Sequence, residues 1–83
     1  MPYILYRLAR TSFDIAFEGK VIASLLLEAA PGNRPKWRVR LLTPLPPSEM
    51  PSPFTAPEHT FSSYQAVRAW LGQPEVIDVL PST

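Results

Sequence analysis

The sequence predicts an α+β fold: an antiparallel meander sheet of three to four strands over residues 3–42, with one C-terminal helix over 62–72 packed on one face. Three observations predict it. From Phe13 to Glu28 apolar and polar side chains alternate with the period-two pattern of half-buried strands. The alternation resumes at Trp37, Val39 and Leu41. Beyond a proline-rich stretch, Tyr64, Val67, Trp70 and Leu71 fall on one side of a helix at about 100° per residue.

Tyr3 to Leu8, rich in aromatic and branched residues, forms the first strand, and Arg10-Thr11-Ser12 turns it back. Phe13, Ile15 and Phe17 make the inner face of the second strand, with Asp14, Ala16 and Glu18 outside. Glu18-Gly19-Lys20 supplies a tight turn with glycine at positive φ, and Val21 to Glu28 returns. A three-residue loop pairs Phe17 with Val21 and sets Val21, Ala23, Leu25 and Leu27 on the inner face. A two-residue loop puts Lys20 and Ser24 there instead, so the three-residue loop is expected. After the turn-rich segment 29–33, Trp37, Val39 and Leu41 point inward while Arg38, Arg40 and Leu42 point outward.

Residues 43–60 hold six of the eleven prolines, which excludes helix and central strand and predicts an extended surface loop. Its Pro44-Leu45-Pro46-Pro47 has the spacing of a groove-binding ligand, but proline-dense chain produces that spacing by chance and a packed connector is expected. Ser62 is the expected N-cap, with Gln65 as its capping-box partner and Phe61 stapling onto Ala66; Gly72 and Pro74 end the helix. Residues 75–80 close the chain as an edge strand or an apolar tail.

Eighty-three residues make one small domain, and 46% hydrophobic content with mixed charge places it among folding chains despite the prolines. A formal charge of +1 gives no global field toward nucleic acid or anionic lipid. The absence of cysteine removes disulfides, thiolate metal sites and thiol nucleophiles, and a cytoplasmic location is the simplest expectation. The longest apolar run, Val21 to Leu27, is broken by Ser24 and too short to span a bilayer, so no membrane segment is expected.

His59 is the single histidine and has no acid at helix spacing, so it cannot anchor a metal site alone. The seven acids are scattered, three glycines make no phosphate loop, and no serine sits in a nucleophile elbow. No catalytic residue, metal, cofactor or small-molecule substrate is expected, and the chain reads as no enzyme.

Four of the eight basic residues, Arg34, Lys36, Arg38 and Arg40, fall within one strand-like segment around Trp37. They either meet phosphates from a sheet face or edge, together with Arg7, Arg10 and Lys20, or pair with Asp14, Glu18 or Glu28 across strands. The run Thr60-Phe61-Ser62-Ser63-Tyr64-Gln65-Ala66 after three strands resembles the sheet-then-helix modules of AP2-type and phage-integrase arm-binding domains. In those families the strands contact the DNA major groove. The likeness covers about fifteen residues, most of them helix-capping chemistry, and the proline loop departs from the pattern.

One helix covers one face of such a sheet and leaves Ile22, Leu26 and Leu42 exposed on the other, between acidic Asp14 and Glu18 and basic Arg38 and Arg40. The expected function is therefore a non-catalytic interaction module, its partner a protein or a second copy of the chain. The alternative is nucleic-acid binding through Arg34, Lys36, Arg38 and Arg40.

Overall fold

A computed structural model, describing residues 3–29 and 31–79, extends the meander to a six-stranded mixed sheet. The elements are β1 (Tyr3–Ala9), β2 (Ser12–Phe17), β3 (Lys20–Glu28), β4 (Lys36–Leu41), β5 (Glu58–Phe61), α1 (Tyr64–Trp70) and β6 (Glu75–Asp78), with a 3-10 turn at Pro47–Glu49. Spatial order is β5-β4-β3-β2-β1-β6. The four expected strands form an antiparallel meander, β5 adds antiparallel to β4, and β6 adds parallel to β1. The two added strands therefore run in the same direction at opposite edges, joined by α1 across one face.

The β2–β3 turn corrects the expected loop. Phe17 pairs with Lys20 across a two-residue turn, Glu18-Gly19, with φ of 51° and 85°. Two positive φ angles match the right-handed twist of the flanking strands, and glycine takes the second without strain. The register then shifts between Ile15 and Ala16, so that Val21 and Ile22 together oppose Ala16 and Ile15 pairs with Ala23. This bulge restores the inward face for Ala23 and Leu25. Val21 is released from it and lies exposed.

The proline segment is shorter than expected, because backbone pairing resumes at Glu58, directly after Pro57. Proline is tolerated there since β5 is an edge strand. The loop wraps the sheet end where β1 begins: Phe54 is buried, and the Tyr3 hydroxyl donates to the Ser52 carbonyl at 2.9 Å. Burial pushes the Tyr3 phenol up to about 12.

The helix is one turn shorter than expected. Ser63, not Ser62, is the N-cap, accepting from the Ala66 amide at 3.1 Å, so the third helical position is alanine and no capping-box glutamine forms. Phe61 packs on Trp70 instead of stapling onto Ala66. At the other end Gln73 N–H donates to Arg68 C=O and Gly72 N–H to Ala69 C=O, a Schellman closure with Gly72 at φ 84°. Arg68 is half-buried and donates to the Pro74 carbonyl.

Helix and loop together bury one face of the sheet. Leu5, Ile15, Ala23, Leu25 and Val39 are fully covered, with Val67 and Leu71 from the helix and Phe54 from the loop above them. Nothing among the described elements packs on the other face. The tail follows the strand alternative over 75–78; Leu80 lies outside the described residues.

Candidate functional site

The helix-free face is built in rows, because cross-strand partners share a side of the sheet. The middle row runs Glu58, Arg40, Ser24, Asp14, Tyr6, Ile77 from β5 to β6. The row above it holds Thr60, Arg38, Leu26 and Ser12. Two-residue alternation adds Val79, whose amide donates to the Arg7 carbonyl, and Leu8 stands beside it at the register shift between Arg7 and Ala9. Below it lie Leu42, Val21, Ala16 and Ile4. Among the described residues, Leu26, Leu42 and Val79 are large hydrophobic side chains exposed on this face, and Leu8 and Val21 are exposed at the register shifts that border it.

Polarity is divided across it. The β4–β5 side is ionic: Arg38 reaches Glu28 at 3.0 Å and Glu58 at 3.6 Å, and Arg40 reaches Glu58 at 3.4 Å. These are exposed pairs worth little stability each, but as a network they cancel charge locally. The β1–β6 side is apolar, with Leu8 and Val79 exposed and Ile4, Tyr6 and Ile77 half-buried.

Of the residues singled out from sequence, Leu26, Leu42, Arg38, Arg40 and Asp14 do share this face. Ile22 is half-buried beside the bulge. Glu18 is not on a strand face at all; it is the first residue of the tight turn. Of the expected cross-strand partners Glu28 holds Arg38, while Glu58 takes the place of Asp14 and Glu18. The remaining basic-strand residues, Arg34 and Lys36, border an open cleft of about 670 Å³ with Leu27, Glu28 and Asn33.

The β1–β6 apolar patch escaped the sequence reading. Its signal lay in Ile77 and Val79 matching Tyr6 and Leu8, but a parallel pairing between residues 4–7 and 75–78 leaves no local trace.

His59 lies on β5 rather than in a loop, with its ring 4.7 Å from Trp70 and 5.9 Å from Phe54, and Nε2 accepting from the Thr55 amide at 3.3 Å. Burial holds its pKa below the ordinary 6.5. A histidine harder to protonate folded than unfolded contributes fully above the unfolded pKa, and that contribution is lost as pH falls from about 6.5. Thermal melts should therefore show stability declining below that pH, and His59→Gln should flatten the decline. An unchanged slope in the variant removes His59 as the cause.

Among the described residues no group of acids and histidine is placed to hold a metal, and no helix is long and apolar enough to cross a membrane. No protein-family model, curated protein or solved structure matches the chain, the DNA-binding modules that the helix entry resembles included.

Proposed function

We propose that the chain is a non-catalytic module that self-associates through the helix-free face of its sheet. The observation that carries this is that Leu26, Leu42 and Val79 lie exposed on a sheet face that no described element covers, with exposed Leu8 at the β1 register shift beside them. Contiguous apolar surface on a small domain is unusual unless something covers it. The four strands from β3 to β6 in spatial order, about 4.8 Å apart and about six residues long, present roughly 400 Å² in projection, about half of the ~800 Å² that a standard interface takes from each partner.

A second copy is the occupant that the residue pattern favours. A two-fold axis between the stacked sheets, parallel to the strands and over the β1–β2 seam, sets Leu26 of one copy against Val79 of the other. It also sets Ser24 against Ile77, and Asp14 against Tyr6. At the axis a carboxylate meets a phenol hydroxyl, and on either side of it Leu26 packs on Val79. An arrangement that set Arg38 and Arg40 of one copy against Asp14 and Glu18 of the other would require the Glu28 and Glu58 pairs to break; here those pairs form a satisfied polar rim.

Sedimentation equilibrium over a concentration series tests this. The parent should dimerise, while Leu8→Lys and Leu26→Lys should each be monomeric, with unfolding curves that match the parent's below its association concentration. A parent that stays monomeric at high micromolar concentration overturns self-association.

The reading involves no catalytic residue and no cofactor. A cytoplasmic location suits a chain without cysteine.

A further inference from the structure

Charge is sorted along the strand axis. The end of the sheet where β1 and β3 finish and β4 begins carries Arg7, Arg10, Arg34, Lys36 and Arg38 against Glu28 and Asp78; the other end carries Glu18 and Glu75 against Lys20. A nearly neutral chain thus has one basic end.

At that end, on the helix side of the sheet and away from the face proposed for self-association, lies an open cleft of about 250 Å³. It is lined by Arg7, Arg10, Phe13, Trp37, Tyr64 and Val76. Its floor is aromatic: Tyr64 stacks on Phe13 at 5.1 Å with an interplanar angle of 23°, and Trp37 lies 5.4 Å from Tyr64 and 6.1 Å from Phe13. Trp37 and Tyr64 are only half-buried. The rim is cationic. Arg10 is exposed and makes no ion pair with a described residue. The Arg7 contact to Asp78 is 3.9 Å, beyond hydrogen-bond range, and its Nε is buried without an acceptor.

Aromatic faces beside two guanidinium groups, Arg10 outside any ion pair with a described residue and Arg7 in a long one with Asp78, suit a planar ring that carries an anion. The volume admits one ring system rather than a drug-sized ligand buried whole. We propose that this cleft is a stacking site for a nucleotide unit, its base laid against Trp37 and Tyr64 and its phosphate held by Arg7 and Arg10. Exposed Arg34, in the loop before β4 at the same end, adds a positive charge toward which the backbone of a single strand could extend. This differs from reading the basic strand as a duplex reader, since Arg38 and Arg40 face the opposite side and are engaged by Glu28 and Glu58.

The test uses thymidine monophosphate, a labelled oligothymidylate and the same sequence as a duplex, at low ionic strength. Trp37 emission should be quenched, read as the part of the signal lost in Trp37→Phe, and labelled single strand should gain anisotropy that falls steeply with added salt. Arg10→Glu, at an exposed position that leaves the core untouched, should weaken binding about tenfold or more without altering the melting temperature. Equal quenching by monophosphate and strand at matched nucleotide concentration identifies a free nucleotide as the ligand; quenching by the strand alone identifies single-stranded nucleic acid. Absence of binding at low salt, equal binding of duplex, or undiminished binding by Arg10→Glu overturns the proposal.

Discussion

Trp70→Ala should remove roughly 3 kcal/mol of stability, the lower end for truncating a large aromatic because the ring is half-buried rather than enclosed. The loss is expected because Trp70 joins three segments of the chain. Its ring lies 4.9 Å from Phe54 of the proline loop, 4.7 Å from His59 and 5.0 Å from Phe61 of β5, while its backbone ends α1. A chain of this size holds on the order of 4–12 kcal/mol in total, so the variant should unfold at markedly lower urea. Circular dichroism checks this. A loss below about 1 kcal/mol would show that the loop and β5 are held independently of the helix. The dependence of stability on pH should shrink in the same variant, because His59 loses the ring that buries it.

The second large effect separates two adjacent leucines. Leu25→Ala should cost about 3–4 kcal/mol through transfer and cavity terms, since the side chain is fully buried in the central strand, paired with Phe13 and Val39. Leu26→Ala should change stability by no more than about 0.5 kcal/mol when measured below the association concentration, because its side chain is 43% exposed on the other face. Urea titrations of the two variants measure the register directly. Comparable losses from both would mean that the bulge at Val21 and Ile22 does not set β3 as described.

That bulge also marks how far the strand pattern could be read. Alternation reports only parity, and a two-residue turn followed by a one-residue bulge has the same parity as a three-residue turn. The inward set of Phe13, Ile15, Ala23, Leu25, Val39 and Leu41 was therefore legible while the turn that produces it was not. The helix stripe was legible for the same reason, since Val67 and Leu71 repeat at helical spacing; its start was not, because either Ser62 or Ser63 offers the same hydroxyl. β5 was obscured by Pro57, which forbids a central strand but permits an edge. Of the candidate surface, Leu26 and Leu42 could be placed by alternation alone. Leu8, Ile77 and Val79 could not, since their adjacency depends on β6 joining β1 from the far end of the chain.

The two edge strands carry a consequence for how the chain reaches its native state. The first four strands are joined by neighbouring hairpins and can form from local contacts, whereas β6 must find β1 by pairing residue 75 with residue 4. Closing so long a loop is entropically slow relative to hairpin formation. During that interval both flanks of the meander expose unpaired backbone, β4 on one side and β1 on the other, and each is a template for another chain. Because β5, α1 and β6 are consecutive, docking of a single C-terminal segment seals both flanks. Refolding yield should then be governed by the arrival of residues 58–79, falling with protein concentration as intermolecular pairing competes with that one event.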